Sequence, residues 1–369
     1  MPRRIGEAGG TSRSIAPVKF ERCAARSAPW RREKSQLSPA RAAEPVVGFG
    51  DRAAGRATRR QREIGDGTQH GCGCLHAHLV AGRTKRHKAR VTAPEIFDRQ
   101  ARRLRRDRAA RNFADHDFVH RFMAEGVMER LGAVKRQFLD VLDLGCWDAD
   151  LQPPPGARIV RCDPGKGFAI AANGVRADED RLPFADGAFD LVLSVGTLDQ
   201  VNDLPGALTL IRRSLRPDGL FLGAFLGAGS LATLKSAFMA AERERPVARF
   251  HPQIDVRSAG DLLMRAGFAL PVADTETLNV RYGDIFGIFR DLRGMAATNL
   301  LVDRTALRRD SLAAAAGAFA DRADDDGRVP ERFEIIYLTG WAPDDSQPKP
   351  ARRGSGTTSL AEALKPPTR

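Results

Sequence analysis

The sequence predicts an α/β protein with a mostly parallel sheet and helices on both faces, and three observations carry that expectation. Four short apolar runs recur: FLDVLDLG (138–145), RIVRC (158–162), FDLVLSV (189–195) and GLFLGAFL (219–226). Each is bounded by turn residues, as strands covered on both faces are. Between the third and fourth runs lies a helix with clear punctuation. Asp203 suits its N-cap and Pro205 its first turn, while Leu204, Leu208, Ile211 and Leu215 mark one face. Pro217-Asp218-Gly219 then turns the chain. A strand, a helix and a strand in that order imply a parallel crossover.

The remaining elements follow in order. An Arg-rich amphipathic helix is expected over 94–111, a second over 119–131 and a third over 258–266. Strands are expected over 269–280 and 333–341, with an Ala-rich helix over 305–320 between them. After Trp341 the composition turns to Pro, Arg, Gly and Ser. The chain therefore divides into a basic leader (1–90), a folded body (91–341) and an exposed tail (342–369).

Charge separates the leader from the body. The first 90 residues hold 20 of the 59 Lys and Arg and 7 of the 46 Asp and Glu, so residues 91–369 carry 39 of each and the net +13 belongs to the leader. A balanced body has no basic footprint for nucleic acid. Phe20, Trp30 and Phe49 are the leader's only aromatic residues, and Leu37, Leu75 and Leu79 its only leucines. Such a segment cannot bury enough surface to offset its ordering entropy, and disorder is expected. Three readings of it stand: an organellar transit segment, a basic tail touching membranes or nucleic acid, or an upstream extension with the start at Val91. Deleting residues 1–90 should leave the melting temperature unchanged; a drop of several degrees would place the leader in the fold.

Other classes are excluded or set aside. No apolar run is long enough for a transmembrane helix, and no secretory signal opens the chain. Cysteines 23, 72, 74, 146 and 162 form no disulfide framework and suit a reducing compartment, the cytoplasm of a bacterium or the mitochondrial matrix of a eukaryote. The cluster HGCGCLHAH (70–78) alternates its donors every second residue, a poor spacing for tetrahedral zinc. His116 and His120, with Asp115 or Asp117, could form a two-His-one-carboxylate metal set, against the plainer reading of a polar helix face. No GxSxG elbow, Walker loop or HExxH helix is present.

The chemistry concentrates in residues 140–200. Asp143, Leu144 and Gly145 end the first strand, whose carboxyl end faces the ligand crevice in a doubly wound sheet. Gly145 would let the backbone approach a nucleoside closely. Asp163 tips the second strand, where a carboxylate accepts ribose hydroxyls. Asp178, Glu179 and Asp180 follow in a loop suited to an adenine amine, and Ser194 opens the ligand-facing end of the next strand.

Taken in order, VLDLGC, the acid after the second strand, ADED-RLPF, FDLVLS and LRPDG resemble the class I S-adenosylmethionine-dependent methyltransferases. IFDRQARRLRRDRAAR, LLMRAGFALPVADTETLNVRY, LRGMAATN, RRDSLAAAAGAF and IIYLTGWAPDDSQPKPARRGS resemble more narrowly the complex I assembly factor 5 family and its bacterial relatives. The resemblance runs from Ala93 to Lys365. It implies a Rossmann-like class I methyltransferase fold and S-adenosylmethionine as ligand, bound by Asp143, Gly145, Asp163, Asp178 and Ser194. It also implies a protein substrate or respiratory complex subunit as partner and, in mitochondrial relatives, arginine hydroxylation during complex I assembly.

The departures from that family are specific. Trp147 and Ala149 stand where glycines are expected. Pro153, Pro154 and Pro155 interrupt what should be the next helix. Asp199-Gln200 replaces a His-Trp-type pair, and Gln253 stands at a His position. Two functions follow: an S-adenosylmethionine-dependent enzyme, or a ligand-poor scaffold of the same fold serving assembly.

Overall fold

The computed structural model describes residues 95–148, 151–152, 154–349 and 359. The leader with its His/Cys cluster, Ala149, Pro153 and most of the expected tail lie outside the described residues.

Seven strands form one sheet: β1 (Asp140–Leu144), β2 (Arg158–Asp163), β3 (Val175–Arg176), β4 (Phe189–Val195), β5 (Leu215–Leu226), β6 (Ala269–Tyr282) and β7 (Val329–Trp341). Their order is β3-β2-β1-β4-β5-β7-β6. β1 to β5 pair parallel, and β7 runs antiparallel between β5 and β6. The expected mostly parallel sheet is present. Its direction of winding reverses between β1 and β4, which opens a crevice at their carboxyl ends.

Helices cover both faces because the strands alternate between two apolar sets. Leu191, Leu193, Leu220, Leu222, Phe333 and Ile335 point to one core, beneath α2 (Phe118–Gly132), α5 (Ala232–Ala241), α7 (Ile285–Gly294) and α8 (Arg309–Ala320). Leu142, Val192, Phe221, Phe225, Ile336 and Leu338 point to the other, beneath α4 (Leu204–Ser214) and α6 (Val256–Arg265). Asp203 caps α4 as expected, accepting from the Gly206 amide at 2.8 Å.

Three differences from the sequence reading have physical causes. The turn expected at 217–219 lies within a strand: β5 starts at Leu215 and absorbs the irregularity as a register shift, with Asp218 at φ +58°. The short α3 (Lys166–Ala171), the two-residue β3, α5 and α7 were not anticipated. α3 is too short to show a period, and α5 carries alanine where a polar face would mark one. Among the described residues, no helix connects β1 to β2, in keeping with the proline run. Of the expected tail, residues 342–349 are described, and Gln347 donates to Asp218 at 3.0 Å.

Candidate functional site

The first strand delivers its expected residues to the crevice. Gly145 has φ +82°, and a Cβ there would collide with the Thr197 methyl, so glycine is required twice over. Ser194, at the facing end of β4, exchanges a buried hydrogen bond with Thr197 at 3.1 Å. Asp143 is fully buried, and neither carboxyl oxygen has a hydrogen bond. Its nearest cation is Arg161, 3.7 Å away on the neighbouring strand. Burial outweighs that arginine and raises the Asp143 pKa to about 7. Cys146 and Cys162 are buried too, with burial pushing Cys162 up to about 12 and Cys146 higher, so neither is a thiolate nucleophile at neutral pH.

The other two acids are already engaged. Helix α1 (Arg99–Ala109) begins at the Asp98 N-cap and lays one face across the carboxyl ends of the strands. Arg99, Arg102, Arg103 and Arg106 share that face because they are spaced i, i+3, i+4 and i+7. Arg106 Nε donates to Asp163 Oδ1 at 2.9 Å while Nη2 holds Oδ2, and both side chains are completely buried. Arg102 makes a bidentate pair with Glu179 at 2.6 and 2.7 Å. Arg103 reaches Asp178 at 2.6 Å, and Arg99 grips Asp180 at 2.6 and 2.7 Å. Asp163 and Asp178, read from sequence as anchors for ribose and adenine, are thus salt-bridged to the protein's own helix. The arginine spacing i, i+3, i+4 and i+7 carries this signal in the sequence, but an amphipathic period alone does not reveal which acids the face meets.

Trp147 completes the closure. Its indole Nε1 donates to the Val195 carbonyl at 2.7 Å, which ties the end of β1 to the end of β4. The ring stacks on Phe113 at 5.0 Å and 10°, and the Arg106 guanidinium lies 3.5 Å from its centroid. His120 and Phe168 meet it edge-on at 4.1 and 5.2 Å. Trp147 keeps φ +37°, a left-handed conformation that costs a side chain on the order of 1–2 kcal/mol. The surrounding contacts hold it there. Burial, with Arg106 nearby, depresses the His120 pKa to about 3, so the imidazole is neutral.

The space remaining among Asp143, Gly145, Trp147 and His120 is about 40 Å³. Small-molecule sites occupy roughly 300–1,000 Å³. Asp143 presents a carboxyl without a hydrogen bond, suited to an ammonium group, whereas Asp163 and Asp178, the carboxylates expected to meet ribose and adenine, are paired with Arg106 and Arg103, and Trp147 packs at the end of β1. The residues present do not fit S-adenosylmethionine in this arrangement.

The histidine pair expected on one helical face is split. His116 precedes α2 and bonds Asp291 at 2.9 Å, while His120 packs on Trp147. Among the described residues, no group of three or more His, Cys, Asp or Glu is placed to hold a metal.

This sheet order, with its antiparallel β7 and its crevice at the β1–β4 reversal, defines a class I methyltransferase fold. A methyltransferase domain family matches residues 142–223, from β1 into β5. The mitochondrial arginine-hydroxylase NDUFAF5 of Danio rerio is 35% identical over 288 residues, covering 73% of this chain and 90% of that protein. Its Homo sapiens counterpart is 34% identical, covering 77% and 88%. A malonyl-[acyl-carrier protein] O-methyltransferase of Methylovorus is 32% identical, covering 67% and 90%. The chain belongs to the NDUFAF5 family of methyltransferase-fold proteins.

Proposed function

We propose that this chain serves the assembly of a respiratory complex by acting on or holding a protein subunit, and that it works as a scaffold with its S-adenosylmethionine crevice closed. The supporting observation is the buried Arg106–Asp163 pair under Trp147, which engages the carboxylate expected to hold the ribose with the protein's own side chain. Its Danio rerio and Homo sapiens relatives are arginine-hydroxylases, which supports arginine as the group recognised. The working compartment is then the cytoplasm in a bacterium or the mitochondrial matrix in a eukaryote. Among the described residues, no helix is long and apolar enough to cross a membrane.

A second reading keeps the chain an enzyme. Asp143 and Gly145 support it, since a buried carboxyl without hydrogen bonds beside a glycine at positive φ is what an amino-acid ammonium group would use. Ligand entry would then require α1 to leave Asp163 and Trp147 to turn out.

Genetic complementation separates the two. In a strain lacking the protein, the unmodified chain and an Asp143→Asn variant should restore complex I equally, with no arginine modification that depends on Asp143. Restoration that fails with Asp143→Asn, together with loss of a hydroxylated or methylated arginine by peptide mass spectrometry, would favour the enzyme.

A further inference from the structure

A second and far larger cavity, about 550 Å³, lies between α5, α7, the segments 249–253 and 297–307, and the turn after β4. Its volume falls within the range of small-molecule sites. The wall is apolar, built from Leu231, Leu234, Phe238, Phe250, Phe289 and Leu292. Phe238 meets Phe250 and Phe289 at 6.0 and 6.2 Å between ring centroids.

The charges around that wall are uneven. Arg249 is satisfied by Glu242 at 2.6 and 3.0 Å, and Arg304 by Asp98 at 2.9 Å. Arg105 donates to the Asn299 carbonyl, but among the described residues no carboxylate lies within ion-pair distance of it. Burial, with the neighbouring Arg304, pushes its pKa down against the weaker pull of Asp98. Arg293, in the last turn of α7, is exposed at the same cavity and also has no carboxylate partner among the described residues. Opposite in character, Asp199 Oδ1 and the Oε1 of the buried Gln200 line the cavity as acceptors without a hydrogen bond. Buried polar atoms left unpaired are costly, and a bound group that pairs them recovers that cost.

We infer that this cavity binds an amphipathic anion: an apolar chain packed against the phenylalanines, an anionic head at Arg105 and Arg293, and a hydrogen-bond donor reaching Asp199 and Gln200. A medium-chain hydroxy fatty acid is the simplest molecule of that chemistry. The cavity shares no lining residue with the space beneath Trp147, and the inference rests on the reading that α1, which carries Arg105, stays docked over the strand ends.

Titration of the full chain with 3-hydroxydecanoate, decanol and decylamine, each below its micelle concentration, tests this by calorimetry. The hydroxy acid should bind, the amine should not, and decanol should bind at least tenfold more weakly than the acid. Arg105→Gln should weaken the acid about tenfold without changing decanol. Leu234→Trp, which fills the cavity, should abolish both. Arg293→Gln is surface-exposed and should fold normally, and it should weaken only the acid. Equal affinity for acid and amine, or acid binding indifferent to both arginines, would overturn the anionic assignment. Absence of binding by the unmodified chain would overturn the site itself.

Discussion

Replacing Arg106 with leucine is expected to destabilise the protein by about 3–5 kcal/mol, because it strands Asp163 as a fully buried, uncompensated charge. In a body of this size, each kilocalorie shifts the melting temperature by roughly 2–4 °C, so the loss should be on the order of 10 °C. Asp163 would retain only the Gly165 amide at 2.7 Å. The double variant Arg106→Leu with Asp163→Leu should recover most of that loss, since a buried pair contributes little net stability over apolar residues of similar volume. Differential scanning calorimetry of the three variants reads the pattern directly. A single variant melting within 2 °C of the unmodified chain would show that the pair does not fasten α1 to the sheet.

Asp143 produces the second large effect, and its sign is opposite. Its folded pKa of about 7 lies above its ordinary 3.8, through burial. The folded state therefore holds a proton that the unfolded state has released between about pH 4 and 7. Stability falls as pH climbs through that window, because folding must then keep a carboxyl that prefers to ionise. About three units of difference correspond to roughly 4 kcal/mol as an upper bound, and 2–4 kcal/mol is the range to expect above pH 7. Asp143→Asn removes the titration. The variant should melt above the unmodified chain at pH 8, with the gap closing toward pH 4–5. A gap independent of pH would mean that Arg161 neutralises Asp143 fully.

The fold was largely legible because its strands announce themselves. FDLVLSV and GLFLGAFL send alternate side chains into two cores, and a buried parallel strand has little freedom to be anything else. Asp203, Gly206 and Pro205 fix the start of α4 by local chemistry alone. α7 was missed because IFGIFRDLRG has a helical period only when Asp284 is recognised as its cap. The site was legible in its parts and not in its assembly. Asp143 and Gly145 line the narrow space at the end of β1, whereas Asp163 and Asp178 are paired to a helix some 60 residues earlier in the chain and Ser194 bonds Thr197. Pairing Arg106 with Asp163 is a tertiary fact, set by how α1 crosses the strand ends. Trp147 was recognised from sequence as the wrong volume; that its indole bonds Val195 and stacks on Phe113 required the structure.

The closure is built from mutually supporting contacts, and this bears on how it could open. Moving α1 exposes Asp163, Asp178, Glu179 and Asp180 together, four acids that now face four arginines. Moving the Trp147 side chain alone leaves Arg106 on Asp163. A ligand would therefore have to displace both at once, and Trp147→Gly alone does not clear the ribose position.

Isothermal titration of the full chain with S-adenosylmethionine at millimolar concentration tests the closed crevice most directly. The proposed scaffold predicts no binding heat from the unmodified protein, since Arg106 is paired with Asp163 and Trp147 is packed at the end of β1. Micromolar binding, about 8 kcal/mol, would contradict the account and show that α1 and Trp147 give way to the ligand.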